Sequence, residues 1–176
     1  MTPEFSRTER VDQIGVAERT VAIAADPGER AALATRFALI SLDRLEARFA
    51  VRGEAGAVIA TGRVRGEVTQ ACAATGEPLP VSIDEAVSLR FVADPLAGEE
   101  EVELSADAMD TLPIENGLID LGEAAAETLA LALDPFARVP DADAILAAAG
   151  VIGEDQVVSE RGAFAGLAEL RKKLEG

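Results

Sequence analysis

The clearest pattern in the chain is a period of two between Ala57 and Gln70, in which apolar and polar residues alternate from Ala60 onward. Alanine, glycine or valine stands at every second position from Ala60 to Val68, and threonine, arginine or glutamate stands between them. A period of two is typical of a strand with one buried and one solvated face. A second alternating run, from Val81 to Phe91, follows a turn at Gly76–Pro80. We therefore expect two long antiparallel strands joined as a hairpin.

Shorter alternations predict two more strands, one around Val21 and Ile23 and one at Leu45–Arg52. Gly62 and Gly66, inside the long alternating run, suggest a bend or bulge of the kind found in strongly curved sheets. Together these elements predict an α+β fold. We expect a single domain over residues 1–176, with a curved, barrel-like antiparallel sheet and helices packed against it.

Asp26 and Glu29 have the spacing of a capping box, and Pro27 stands at the first helical position between them. Apolar residues then recur at i, i+4 and i+7, which predicts a helix with one buried face. That face is expected to comprise Leu33, Phe37 and Ile40.

Three further helices are predicted toward the C-terminus. Asp120 and Glu123 form a second capping box before a helix at Ala124–Leu133, which Asp134-Pro135 should end. An alanine-rich stretch at Asp141–Ala149 predicts a short helix. Apolar spacing predicts a final helix at residues 163–174.

Negative charge is concentrated in the middle of the chain. The net charge is −16, and the stretch from Phe91 to Ala137 contains 12 acidic residues and no lysine or arginine. We expect an acidic surface loop around residues 94–116. Such a surface attracts basic partners and repels nucleic acid, with a range of about 8 Å at physiological salt. The alternative is that the charge only keeps the protein soluble.

Composition restricts the chemistry available to the chain. It contains no histidine and one cysteine, Cys72, so histidine-assisted nucleophiles and ordinary zinc sites are excluded. We expect no catalytic residue, no cofactor and no metal ion. The N-terminal residues are charged and no apolar run approaches the roughly 20 residues of a membrane span. The expected location is the cytoplasm, with no membrane or DNA partner.

Four stretches of the chain, in order, are similar to one known family. They are "EFSR" (4–7) with "ERAALATRF" (29–37), "GRVRGEVTQACAATGEPLP" (62–80), "GLIDLGEAAAETLALALDPFARVP" (117–140) and "FAGLAELRKKL" (164–174). These stretches resemble the YceD family, the large ribosomal RNA subunit accumulation proteins, and especially its proteobacterial branch. The resemblance implies a bacterial or organelle-derived factor that supports accumulation of 23S ribosomal RNA, and it implies no catalytic residues. Some relatives have a second cysteine where this chain has Thr75, so no metal or redox role is carried over.

The turn between the two long strands is the first candidate contact site, because exposed polar turns on a rigid sheet are well placed for binding. It contains Gln70, Cys72, Thr75, Glu77 and Pro78. The alternative is that these residues only provide turn chemistry and that Cys72 is a small buried residue.

A second candidate is the segment after the helix, with Asp134, Pro135 and Arg138 as a recognition edge. Its alternative is a helix stop with an Asp–Arg surface pair. A third is Arg63 and Arg65, which share a strand face and could contact RNA phosphates. Glu67 on the same face, and the lack of aromatic residues for stacking, oppose that interpretation.

The fourth candidate is the acidic run, which could bind a basic protein tail or loosely hold a divalent cation. It comprises Glu99, Glu100, Glu101 and Glu103. The alternative is a solvated loop.

Three functional hypotheses follow. The first is a non-enzymatic factor in large-subunit biogenesis that contacts a basic ribosomal protein or assembly factor and reaches ribosomal RNA indirectly. The second is direct ribosomal RNA binding through Arg63 and Arg65. The third is an uncharacterised enzyme that uses Cys72 or paired carboxylates.

Overall fold

The fold is built on three long strands that pair side by side. The computed structural model of the protein describes residues 3–93 and 109–151. In chain order the elements are β1 (Thr8–Arg10), a 3-10 turn (Val11–Gln13), β2 (Arg19–Ala24), α1 (Pro27–Arg36), β3 (Ser41–Glu54), β4 (Ala57–Ala71), β5 (Pro78–Val92), β6 (Asp110–Pro113), β7 (Leu118–Asp120), α2 (Leu121–Ala132) and α3 (Ala142–Ala148). The predicted helix at 163–174 and residues 94–108 of the predicted acidic loop lie outside the described residues, so a single domain over the whole chain stays a prediction.

The main sheet has five strands in the order β2-β3-β4-β5-β6, and β1 pairs separately with β7. The pairs from β2 to β5 are antiparallel, as expected, but β6 runs parallel to β5. In the described residues β2 and β6 lie at opposite ends of the strand order and do not pair. The sheet is therefore open and mixed, and the expectation of a barrel-like antiparallel sheet is wrong. The last part of the predicted acidic loop, residues 110–113, is the strand β6.

The glycines of β4 do not form a bulge. The register between β4 and β5 is continuous, and the irregularity of the β3–β4 pair lies in β3, between Leu42 and Arg44. A Cβ atom on Gly66 would instead overlap Cδ1 of Leu129, a fully buried residue of α2. Gly66 is thus needed for the close approach of α2 to the sheet.

The core lies on one face of the sheet, here called the inner face. On β3, Leu45, Ala47, Phe49 and Val51 point to it and are buried, which confirms the alternation. The helix residues of the same hydrophobic cluster are Leu33, Ala34, Ala124, Ala125, Ala126 and Leu129. Each large apolar side chain in such a core contributes about 1.5–3 kcal/mol relative to exposure. The opposite, outer face carries the polar residues that alternate with the core positions.

The helix α1 begins as predicted and ends earlier. The Asp26 carboxylate accepts from the Glu29 backbone amide, and the Glu29 carboxylate accepts from the Asp26 amide, so the capping box is complete. Ala38 then has a left-handed backbone with φ of 53°, and the Leu39 amide donates to the Ala34 carbonyl. This closing turn ends the helix at Arg36 and leaves Ile40 54% exposed. The expectation that Ile40 is buried is therefore wrong.

The helix α2 begins at Leu121, earlier than expected. The Asp120 carboxylate accepts hydrogen bonds from the backbone amides of Gly122 and Glu123, as predicted, but the Glu123 side chain does not accept from the Asp120 amide, so the predicted capping box is only half formed. The Glu123 carboxylate is bound by Arg36 at 2.7 Å, so it links α2 to α1. The short helix α3 falls inside the predicted range, residues 141–149.

The N-terminal segment is held against both helices. Phe5 is fully buried, and Arg7 binds the Glu29 carboxylate through two nitrogens, at 2.7 and 2.9 Å. The Asp120 carboxylate accepts from the Ser6 hydroxyl and the Arg7 amide. The beginning of the chain, which periodicity left without a structure, is therefore part of the fold.

Replacing Gly66 by alanine should lower the free energy of unfolding by about 1–3 kcal/mol, since the new Cβ would overlap Cδ1 of the fully buried Leu129. Gly15→Ala is the matched control, because a Cβ there meets nothing within 4 Å. The measurement is chemical denaturation of both variants. If Leu129 causes the clash, Gly66→Ala combined with Leu129→Ala should cost less than the two single changes added together.

Glu29→Gln should lower the free energy of unfolding by about 1 kcal/mol at pH 7. The difference between the variant and the wild type should shrink below about pH 4. The hydrogen bond from Arg7 holds the pKa of Glu29 below its usual value of 4.5, with the Asp26 amide adding to the effect. A lowered carboxyl pKa contributes stability that is present above the unfolded pKa and lost as the pH falls through the folded one. Denaturation at pH 7 and pH 3 tests this, with Glu18→Gln as an exposed control. A difference that stays constant with pH would contradict it.

Candidate functional site

The turn between β4 and β5 is closed by its own backbone. The Cys72 amide donates to the Glu77 carbonyl and the Gly76 amide donates to the Cys72 carbonyl, both at 2.8 Å. The Glu77 amide donates to the Thr75 hydroxyl at 3.3 Å, and Gly76 has a φ of 75°. Thr75, Gly76 and Glu77 thus supply the turn chemistry that their sequence predicted.

This turn packs against the segment that follows α2. The Gln70 side-chain amide donates to the Asp134 carbonyl at 3.0 Å, and the Ala73 amide donates to the Ala137 carbonyl at 2.8 Å. Two candidate sites predicted separately therefore form one surface, and no local sequence pattern signals their contact. We call it the hairpin-tip surface, and it comprises Gln70, Cys72, Thr75, Glu77, Pro78, Asp134, Pro135 and Arg138.

Cys72 is the buried centre of the hairpin-tip surface, with 3% of the residue exposed. A hydrogen bond from Thr75 is the largest cause that lowers the pKa of the Cys72 thiol to about 7, and the Val139 amide, 3.5 Å from the sulfur, is the next. Such a thiol is partly ionised at neutral pH, but burial keeps reagents and substrates away from it. Its position agrees with a small buried residue that fastens the turn to Val139.

The segment after α2 presents an apolar group to solvent. The Asp134 carboxylate accepts from the Phe136 amide at 2.8 Å, and Arg138 pairs with Asp143 at 3.4 Å. The alternative of an Asp134–Arg138 surface pair is therefore wrong. The ring of Phe136 is left exposed, with 76% of the residue accessible beside Pro135. Sequence reasoning did not single out Phe136.

Arg63 and Arg65 lie on the outer face of the sheet, away from the hairpin-tip surface. Arg63 is seven residues from Gln70 along β4, which is roughly 23 Å. Both arginines contact one carboxylate, that of Asp84 on β5, through Nε at 3.1 and 3.4 Å. Glu67 shares this face, as expected, and pairs with Arg44.

Sequence reasoning missed Arg48, which stands directly opposite Arg63 in the β3–β4 register. The signal was present in the sequence, because arginines recur at even-numbered positions of β3, which share one strand face: Arg44, Arg48 and Arg52. Locating them beside Arg63 required the strand pairing, which alternation alone does not give.

Half of the 12 acids between Phe91 and Ala137 fall among the described residues. Asp120, Glu123 and Asp134 are engaged in caps and ion pairs, as described above. The other three are exposed: Asp110, Glu115 and Glu127. Partial burial raises the pKa of Glu127, and the negative charge of Glu123 raises it further. The run of Glu99, Glu100, Glu101 and Glu103 lies outside the described residues.

The described part of the chain contains neither a metal-binding cluster nor a membrane-spanning helix. In residues 3–93 and 109–151, no three acidic or cysteine side chains lie close enough to hold a metal ion. No helix in the same residues is both long and apolar enough to span a membrane.

Comparison with known proteins gives one match. A family model described as "Large ribosomal RNA subunit accumulation protein YceD" matches residues 60–171, more than half of the 176 residues. No curated protein and no solved structure matches the chain significantly. The match contains the hairpin and the α2 stretches (62–80 and 117–140) and begins after the N-terminal motifs. The chain therefore belongs to the YceD family of large ribosomal RNA subunit accumulation proteins.

Proposed function

We propose that this protein is a non-enzymatic factor in large-subunit biogenesis in the cytoplasm of a bacterium of the proteobacterial branch. It supports accumulation of 23S ribosomal RNA by contacting a basic ribosomal protein or assembly factor. Family membership supports the link to large-subunit ribosomal RNA, since the family is named as an accumulation protein and not as an enzyme. The protein contact is our inference from charge and surface chemistry.

The observation that carries this proposal is the separation of charge along the chain. Residues 91–137 contain 12 acids and no basic residue, while residues 1–90 contain 11 arginines against 13 acids. A surface of one sign steers a partner of the opposite sign and excludes partners of the same sign. Ribosomal proteins with basic tails have the complementary charge.

The hairpin-tip surface provides an exposed apolar group, which charge alone does not. Buried aromatic anchors carry much of the binding energy in protein interfaces, whereas rim charges contribute mainly to association rate. Phe136 is exposed at this surface between Pro135 and Arg138, and the backbone around it is fixed by Asp134. We propose that Phe136 is the apolar anchor of the contact and that the acidic run guides the partner to it.

Replacing Glu99, Glu100 and Glu101 by serine should weaken binding of the basic partner about tenfold, because three ion pairs with the partner would contribute up to about 1.4 kcal/mol together. The matched control changes three acids outside the acidic stretch, Glu18, Glu85 and Asp141, to serine. Affinity purification at two salt concentrations, with the proteins identified by mass spectrometry, provides the measurement. Recovery of the same large-subunit protein by wild type and both variants would contradict the charge mechanism.

Cys72→Ser should restore 23S ribosomal RNA to the wild-type level in a strain that lacks the gene, because the thiol is buried and has a packing role. Alkylation of native Cys72 by iodoacetamide should be slow despite a pKa of about 7, and fast after unfolding. Rapid alkylation of the native protein, with loss of complementation by Cys72→Ser, would favour the enzyme hypothesis.

A further inference from the structure

The outer face of β3, β4 and β5 is basic, in contrast to the rest of this acidic protein. At its paired positions in the described strands, six arginines stand against four carboxylates. The arginines are Arg44, Arg48, Arg52, Arg63, Arg65 and Arg90, and the carboxylates are Glu46, Glu54, Glu67 and Asp84. The chain as a whole has a net charge of −16, so this face has the opposite sign to the average surface.

A groove of about 820 Å³ runs along this face, where β2, β3 and β4 meet. Its floor is formed by small side chains, among them Ala22, Ala50 and Thr61. Three arginines and one carboxylate stand along it: Arg48, Arg63, Arg65 and Glu46. Small floor residues between long cationic side chains leave room for a charged ligand to lie between the guanidinium groups.

One pairing on the face is unfavourable for the free protein. Arg48 lies directly opposite Arg63, and like charges at opposed positions of an antiparallel pair destabilise it. In residues 3–93 and 109–151, Arg48 makes no ion pair. Proteins tolerate such unfavourable pairings at functional sites. Two opposed arginines form a place where an external anion can bind.

The carboxylate that pairs with Arg63 is shared with Arg65. Asp84 contacts Nε of Arg63 and Nε of Arg65, and it makes the only ion pairs that the described residues give those two side chains. Both Asp84 contacts are made through Nε, and within residues 3–93 and 109–151 the terminal nitrogens of the two guanidinium groups donate no hydrogen bond. Guanidinium forks bind phosphate oxygens with two parallel hydrogen bonds.

We propose that this outer face binds the phosphate backbone of double-stranded RNA. No aromatic residue occupies a paired outer position of β3, β4 or β5, so the stacking platform used by single-strand binders is missing. Double-stranded RNA is recognised instead by shape and by phosphate contacts. The arginine row from Arg44 to Arg52 spans roughly 26 Å, long enough to contact several phosphates.

This site is independent of the protein contact proposed above, because it uses other residues, the opposite charge and another ligand. The two surfaces together would let one chain hold a basic protein beside ribosomal RNA. Loss of one contact leaves the other measurable, so the two proposals fail separately.

The test compares neighbouring carboxylates on opposite faces of β5. Asp84→Asn frees Arg63 and Arg65, whereas Glu85→Gln removes the same charge from the inner side, where its partner position is Val64. The probe is a fluorescent RNA duplex of about 20 base pairs, longer than the roughly 16 that a double-stranded RNA-binding domain covers. Anisotropy titrations at low and physiological salt give the dissociation constants, and thermal unfolding checks each variant.

We expect Asp84→Asn to bind the duplex about threefold more tightly and Glu85→Gln to bind as wild type. Arg48→Ala with Arg63→Ala should weaken binding about tenfold. The control, Arg10→Ala with Arg19→Ala, makes the same charge change away from this face. Its dissociation constant should stay within about twofold of the wild-type value. Neutralising about three phosphates predicts a slope of roughly −3 for log K against log salt.

Three outcomes would overturn the proposal. Equal effects of Asp84→Asn and Glu85→Gln would show that net charge, and not this face, determines binding. Unchanged binding by the Arg48 and Arg63 double variant would place the ligand elsewhere. Tighter binding of poly-glutamate or single-stranded poly-uridine than of the duplex would show that the face serves an acidic peptide or an unpaired strand.

Discussion

Both long helices pack on the same face of the sheet, and the organisation of the protein depends on this constraint. Their apolar residues share one hydrophobic cluster with the inner positions of β3, β4 and β5. The close approach of α2 requires Gly66, because a side chain there would overlap Leu129. With both helices on the inner side, most outer positions of the long strands carry polar groups, and Ile59 and Ala57 are buried exceptions near one end.

The one-sided architecture also separates two kinds of surface chemistry. Carboxylates dominate the stretch that leaves β5 and returns through β6, while arginines dominate the outer face of the strands themselves. Alternation along a strand keeps these arginines on one side without any contribution from the loops. A protein with a large negative net charge can therefore maintain a local cationic surface, and its net charge alone is a poor guide to its partners.

The sequence predicted the elements whose signals are local. Alternation located β4 and β5, and the capping residue Asp26 located the start of α1. Asp120 was identified as the cap of α2, although the helix was expected to start three residues later than it does. The extent of α1 was missed because its end depends on the left-handed backbone of Ala38, a residue with no sequence preference for that conformation. The parallel pairing of β6 depends on which distant segments meet, and so does the closure of a sheet into a barrel. Periodicity along the chain carries no information about such pairing.

The candidate site was predicted in pieces. The turn residues and the Asp134 segment were identified separately, but the hydrogen bond from Gln70 that joins them links positions 64 residues apart. Arg63 and Arg65 were found by their shared face, while Arg48 became visible only with the strand register. Local chemistry is thus readable along the chain, whereas the assembly of a surface from several strands is a property of the tertiary structure.

Among residues 3–93 and 109–151, β6 stands at the end of the strand order, a position that matters for association between copies of the protein. An outermost strand exposes unpaired backbone groups on which another chain could add, the first step toward ordered aggregates. β6 is only four residues long and ends in Pro113, which has no amide hydrogen to donate. It also begins with Asp110, and a charged residue on an edge strand opposes the addition of another strand. A brief, proline-terminated, acidic border of this kind discourages uncontrolled growth of the sheet.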